Sequence, residues 1–494
     1  MAKLSKSLEE NINMFKSIFS EDTLLITRRF QNRFLASVKC CIIYFDGMVD
    51  TKALNENIIV PILYNNLSVE ICIENLLEEL QHKIITANNV NIVEDVDALI
   101  SSVMYGNTIF LLEGYEKALM IDSKGWKSRS ISEPESAKVV RGPREGFNES
   151  ILTNTTLIRK IINDSNLKFK YRNIGKRTHT KICICYIKDL ALDEILKELE
   201  RRLDEIDIDG VLDSGYIQEL IRDAPLSPFE TVGYSERPDT IASKLLEGRV
   251  ALIVDGSPIV LTVPYIMIES AQSSEDYYNN FIFGSFNRLL RATATILSVS
   301  VPALYVAVVA YHQEMLPTPL LLSIYASKKG VPFPTILSMF IMLIIFDVLR
   351  EASTRMPSSI GQAVNIVGTL VLGQAAVEAK LVTAHVVILT ALGGMLALMN
   401  ITAIGAIIVI RAYLLISASL MGVYGFLFGA IIVLLHLMNL RSFGVPYMMN
   451  TSTIKNHNFQ DSWIRAPWWM MTLRPKIIGA KNLVRQAKEK SRRK

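Results

Sequence analysis

VDALISSVMYGNTIFLLEG, residues 96–114, and PDTIASKLLEGRVALIVDG, residues 238–256, decide the fold, because they are one pattern written twice, 142 residues apart. In each, an acidic residue (Asp97, Asp239) opens an amphipathic run, a glycine (Gly106, Gly248) ends it, a second apolar run follows, and Glu113-Gly114 or Asp255-Gly256 closes the stretch. Asp at the start suits a helix N-cap, Gly behind the run suits the left-handed C′ position, and an acidic residue before Gly suits a tight hairpin. The same offset lays CIIYFD from Cys41 on CICYIK from Cys183 and aligns roughly 40–122 with 182–264 without a gap. A self-match of that length means one α/β unit used twice. Between the strand at Ile182 and the turn near Gly210, LDEILKELERRLDEI sets Ile195, Leu196, Leu199, Leu203 and Ile206 on one face, which predicts a surface helix on a sheet.

The two lobes are joined by VVRGPREGFNESI, residues 139–151. Paired α/β lobes either bind a ligand in the cleft between them or form a stalk that transmits motion, and both readings stay open. Arg141 and Arg144 in the linker read as a solvated basic turn or as a holder of a carboxylate or phosphate. No Walker loop, GxGxxG after a strand, HExxH or nucleophile elbow is present, so no enzyme, cofactor or metal is expected.

At 494 residues the chain exceeds a single core. Charges are dense as far as Arg291 and sparse from Ala292 to Leu440, which marks the main boundary. From Arg441 onward twelve Lys or Arg face only Asp461 and Glu489, a tail that reads as a solvated end lying on anionic lipid. No nucleic-acid module accompanies it, so no nucleic-acid partner is expected. Cys40, Cys41, Cys72, Cys183 and Cys185 show no CxxC or Cys/His metal spacing and read as reduced structural thiols. The first residues, with early lysines and no continuous apolar stretch before Glu9, do not read as a cleavable signal peptide.

Four uncharged runs, about 292–313, 358–377, 381–410 and 412–440, are long enough to cross a hydrocarbon core of roughly 30 Å. The stretch 333–356 has only twelve uncharged residues after Pro334 before Asp347, Arg350, Glu351 and Arg355, which predicts an interfacial helix in which Asp347 pairs with Arg350 or Arg355. Arg288 and Arg291 before the first run and the basic tail after the last place both ends in the cytoplasm, and two ends on one side need an even number of crossings. In SSIGQAVNIVGTLVLGQAAV from Ser358, the residues Ser358, Gln362, Asn365, Thr369, Gly373 and Ala376 form one polar or small stripe. Amides facing lipid are costly, so this face meets either a neighbouring helix or water in a conduit shared by several copies. His312, His385 and His436 read as hydrogen-bonded helix residues rather than a proton relay.

The expected organisation is therefore an α/β duplicated soluble domain of two similar subdomains followed by an all-α polytopic membrane domain. Its parts are an N-terminal extension 1–35, subdomain one 36–138, linker and subdomain two 139–285, membrane domain 286–440 and basic cytoplasmic tail 441–494.

RGPREGFNES from Arg141, SERPDTIASKLLEGRVALIVDGSP from Ser235, SSEDYYNNF from Ser273, LPTPLLLSIYASKKGVPFP from Leu316, IGQAVNIVGTLVLGQAAV from Ile360 and RSFGVPY from Arg441 follow one another in order. With them the chain resembles the A subunit of the GerA-family spore germination receptors over about 140–450. The resemblance implies a nutrient receptor in the spore inner membrane, with a transporter-like B subunit that binds the nutrient and a lipoprotein C subunit. It further implies a homo-oligomeric ring that conducts ions, which favours the conduit, lined by Gln362, Asn365, Thr369 and Gly373, with Asp347, Arg350 and Glu351 on a coupling helix. A non-conducting scaffold that organises the receptor is the alternative. The family's middle helix carries several acidic residues, whereas Met339 to Ile345 here is apolar.

Overall fold

The computed structural model describes residues 4–35, 37–65, 76–87, 89–125, 134, 138–356, 371–448, 461, 463–475, 478 and 480–486. The chain forms two units, one built from 1–222, 232–264 and 472–494, the other from 223–231 and 265–471.

The first unit holds the repeat. Its first lobe runs α1 (Leu8–Ile18), β1 (Leu25–Gln31), β2 (Lys39–Phe45), the short α2 (Thr51–Leu54), α3 (Val60–Tyr64) and α4 (Leu76–Glu79), then β3 (Val90–Val93), α5 (Val96–Met104), β4 (Thr108–Leu112) and β5 (Ala118–Ile121). The second runs α6 (Ile151–Ile161), β6 (Leu167–Ile174), β7 (Thr180–Ile187), α7 (Asp193–Asp204), α8 (Ser214–Ile221), β8 (Gly233–Ser235), α9 (Pro238–Leu246), β9 (Val250–Val254) and β10 (Val260–Val263). The sheets have the same antiparallel topology, β1-β2-β4-β5-β3 and β6-β7-β9-β10-β8. This is a duplicated α/β domain.

Strand β2, KCCIIYF, is buried from Cys40 to Phe45 because both sheet faces are covered. Alternate residues Cys41, Ile43 and Phe45 enter a core shared with the second lobe, while Cys40, Ile42 and Tyr44 face Leu54, Ile58, Ile62 and Leu80. The shared core also takes Phe15 of α1, Leu99 of α5, Ile158 of α6, Phe169 of β6 and Leu245 of α9, so the lobes meet through packed side chains. Helix α7 buries Ile195, Leu199 and Leu203.

Two details of the repeat differ from the expectation. Residues 1–35 are no extension: α1 and β1 are the first helix and edge strand of lobe one, matching α6 and β6. The helices match at an offset of 143 and the strands at 142, and that single extra residue between α1 and β1 is what interrupts a gapless alignment. Second, Asp97 and Asp239 are not N-caps. Asp95 caps α5, accepting from the Asp97 N–H at 3.2 Å, whereas α9 starts after Arg237 with Pro238 in its first turn, where no N–H is needed.

The second unit is mainly helical: α10 (Glu275–Tyr278), α11 (Phe281–Tyr311), α12 (Thr318–Lys328), α13 (Thr335–Arg355), α14 (371–378), α15 (Ala384–Leu398) and α16 (Ile404–Asn439), then the two-stranded β11 (Arg441–Ser442) and β12 (Val445–Pro446). Among the described residues, Phe281–Tyr311 and Ile401–Asn439 are long and apolar enough to cross a membrane. These bounds correct the expected 381–410 and 412–440. The break falls at residues 399–403 rather than at Arg411, which lies inside α16 with its side chain 3% exposed. Its charge does not need water because Asp347 neutralises it.

The tail is also corrected. Residues 441–447 fold back, with Tyr265 N–H donating to Ser442 Oγ at 2.9 Å and Met267 N–H to Tyr447 O at 3.0 Å. Lys481 N–H donates to Leu190 O at 3.0 Å and Lys481 Nζ reaches Asp193 at 2.7 Å, so the stretch around Lys481 docks on the second lobe, while Lys455, Lys476 and the basic residues from Lys488 onward lie outside the described residues.

Candidate functional site

The candidate site is built from charges placed inside the apolar helical unit. Helix α13 begins with an apolar run that buries Ser338, Met339, Met342 and Leu343, and its last turns bring Asp347 to α16. Arg411 Nη2 donates to both Asp347 oxygens at 3.0 and 2.8 Å, and Arg350 Nη1 stands 3.2 Å from Asp347 Oδ1. Glu351 pairs with Arg355 at 2.6 Å in the open. Asp347 and Arg350 thus belong to one cluster, while Glu351 is apart from it. Arg411 is the member that sequence reasoning missed, since it was read as a break between spans.

A second cluster lies at the start of α11. Arg288, fully buried, reaches Asp276 Oδ2 at 3.4 Å and Asp461 Oδ1 at 2.9 Å, and Arg291 also pairs with Asp276. Tyr277 Oη donates to the other Asp461 oxygen at 2.8 Å, and the Arg465 guanidinium lies 5.8 Å from the Tyr277 ring centre and 5.7 Å from that of Trp468. Here the two arginines that were expected to flank the first span as simple topology charges are held by carboxylates. Asp276 and Tyr277 sit in SSEDYYNNF, a segment singled out by its residue pattern but not for this role.

Of the expected conduit lining, Gln362, Asn365 and Thr369 lie outside the described residues. Gly373 is in α14, where an added Cβ would lie 3.5 Å from Val387 Cγ1, ordinary contact with a neighbouring helix. Arg141 and Arg144 are exposed, and between them Pro143 O accepts from Arg237 Nη2 at 2.9 Å, which ties the linker to the start of α9. The histidines each have a partner: His436 with Ser227 Oγ at 2.8 Å, His385 with Ser327 Oγ at 3.3 Å, and His312 with Glu314 at 3.5 Å.

The two lobes are bound at their centre by Arg159 of α6, whose side chain is 1% exposed. It pairs with Asp22 and lies over the Phe45 ring at 3.9 Å. Around it Thr23 donates to Phe169 O, and Glu21 accepts from Tyr186 Oη at 2.9 Å and Lys188 Nζ at 3.1 Å. Those two bonds hold the Glu21 carboxyl below its ordinary value of 4.5, the Lys188 contact contributing most.

The family model of the Bacillus/Clostridium GerA spore germination protein matches residues 13–477. Spore germination protein KA of Bacillus subtilis (strain 168) is 38% identical over 488 residues, covering 98% of this chain and 89% of that protein. Spore germination protein B1 of the same organism is 35% identical over 501 residues, covering 98% of this chain and all of that one. Among solved structures, the N-terminal domain of the A subunit of the Bacillus megaterium spore germinant receptor GerK3 is 31% identical, with a TM-score of 0.43, covering 53% of this chain and 96% of that chain. A match that begins inside α1, runs through both lobes and the apolar helices, and ends within the docked tail leaves one assignment: the chain belongs to the GerA family of spore germination proteins.

Proposed function

We propose that the chain is the A subunit of a nutrient germinant receptor and forms, with further copies of itself, a ligand-gated ion conduit in the spore inner membrane. Both termini face the spore core, a transporter-like B subunit holds the nutrient and a lipoprotein C subunit completes the receptor. One observation carries the conduit: the stripe Ser358, Gln362, Asn365, Thr369 and Gly373 repeats at helical spacing along an otherwise apolar segment, in a chain of the GerA family. Neutral polar groups on a shared axis stabilise partly hydrated ions without trapping them, and the flanking Val and Leu narrow the passage. No catalytic step belongs to this reading.

The nutrient opens the conduit only if the complex binds it more tightly in the open state. Asp347 supports a role for α13 in passing that bias on. Separating the buried Arg411 from its carboxylate would cost about 3–5 kcal/mol, so α13 and α16 move together. Spores carrying Gln362→Leu or Asn365→Leu should assemble the receptor in normal amounts and lose nutrient-triggered release of monovalent cations by at least about tenfold. Unchanged release with both substitutions would exclude the conduit and leave the scaffold role. A ring with an axial opening in images of the purified chain would support it independently.

A further inference from the structure

A cavity of about 310 Å³ lies among helix ends of the second unit, lined by Val309 of α11, Lys328 of α12, Thr335 and Ser338 of α13, and Thr383 and Val386 at the start of α15. The rest of its wall is largely apolar and contains no carboxylate. The Lys328 ammonium has no ion-pair or hydrogen-bond partner among the described residues, although the Lys328 carbonyl accepts from Val331 N–H at 3.1 Å. Helices α13 and α15, 21 and 15 residues long, both begin here, and neither N-cap, Pro334 or Thr383, offers a side-chain acceptor to the first turn. Thr383 is 6% exposed, and its Oγ1 and Tyr305 Oη lie buried beside each other with no further hydrogen-bond partner among the described residues. The side-chain carbonyl of Gln313, also on the wall, already accepts from Tyr325 Oη at 2.8 Å.

The cavity therefore gathers an ammonium group, the N-terminal ends of α13 and α15 and two hydroxyls that have only each other, beside the C-terminal ends of α11 and α12 and with no carboxylate on its wall. A cation left alone in apolar surroundings is costly, and so is a buried hydroxyl without a partner. Two more lysines stand near: a Cβ on Gly330 would lie 3.6 Å from Lys380 Nζ, and Lys329 is exposed, while Glu314, after the lining residue Gln313, is engaged by His312 at 3.5 Å. We propose that this cavity binds a single carboxylate or phosphate group, with Lys328 as its counter-ion and Thr383 and the first turns of α13 and α15 as its hydrogen-bond donors. The volume suits a lipid headgroup or a small free anion, being at the low end for ligand sites. The assignment does not depend on conduction.

The test titrates the purified full-length chain in non-ionic detergent with dioleoyl phosphatidylglycerol, dioleoyl phosphatidylcholine and inorganic phosphate, each followed by native mass spectrometry. One phosphatidylglycerol or one phosphate per chain should be retained at concentrations at least about tenfold below those needed for phosphatidylcholine. Which of the two is retained identifies the carrier of the anion. Lys328→Gln should abolish that preference, Thr383→Val should weaken it, and Lys329→Gln, which removes a rim charge outside the cavity, should keep it. Val309→Phe, which fills the space without touching a charge, should also abolish it, so the test survives if Lys328→Gln fails to fold by circular dichroism. Equal retention of the charged and neutral lipids without phosphate binding, or an undiminished preference in folded Lys328→Gln or Val309→Phe, would overturn the site.

Discussion

Arg159 keeps its charge where water does not reach. Asp22, with no exposed side-chain surface, neutralises it, and the Phe45 face covers the guanidinium, whose Nε and Nη1 have no hydrogen-bond partner among the described residues. Such a pair adds little net stability over an apolar equivalent, but removing one partner strands the other. Asp22→Ala should lower unfolding stability by about 3–5 kcal/mol, and Asp22→Ala with Arg159→Met should recover most of that loss, as read by urea denaturation of the detergent-solubilised chain. Glu21, next in the chain, makes the lobe contact pH-sensitive. Its carboxyl is depressed in the folded state, so its contribution is complete above the ordinary value of 4.5 and disappears as pH falls through the lower folded value. The thermal midpoint should therefore drop more steeply below about pH 4.5 in the wild-type chain than in Glu21→Gln, which has no carboxylate to protonate at that position.

At the scale of elements, glycines separate two kinds of break. Gly114 and Gly256, at φ +88° and +85°, make the hairpins after β4 and β9, and a Cβ on either would meet nothing within 4 Å. Each hairpin also holds a helix: Glu113 accepts from Leu8 N–H at 3.0 Å and Asp255 from Ile151 N–H at 3.1 Å, so one acidic residue closes a strand turn and caps α1 or α6. Gly422 is different. It interrupts α16 at φ +62° and ψ −137°, and a Cβ there would lie 2.8 Å from Tyr311 Cβ, an atom anchored to the backbone of α11. Gly256→Ala should cost about 1–2 kcal/mol of left-handed strain, whereas Gly422→Ala should cost on the order of 3 kcal/mol because crowding adds to strain. Thermal midpoints of the two variants in the same detergent decide the order.

Across the whole molecule the chain passes between its two units at 222/223, 231/232, 264/265 and 471/472, so each is assembled from segments distant in sequence. The last segment belongs to the lobe unit through Lys481, bonded to Leu190 and Asp193, and Arg474, whose Nε donates to Leu246 O at 2.7 Å. Ending the chain after Met471 should therefore lower the stability of the lobes by about 2 kcal/mol, the worth of two or three such bonds, measured by hydrogen exchange at α7 and β9. An unchanged exchange pattern would return the tail to the solvated role its charge suggested.

The features that act locally are legible in the sequence. The repeat, the Gly106 and Gly248 helix ends, the Asp-Gly hairpin and the face of α7 follow from periods of two and 3.6 and from glycine's access to positive φ, all properties of short stretches. The duplicated α/β unit, the apolar helical region and the family are thus written in the order of residues alone. That Arg411 belongs to Asp347, 64 residues away, that Arg288 belongs to Asp461, 173 away, that α1 completes the first lobe and that the stretch around Lys481 docks emerged only on folding. A charged residue in an apolar run looks the same in sequence whether it ends a helix or is neutralised within it, because the desolvation cost that selects between them depends on a partner the chain brings near only by folding.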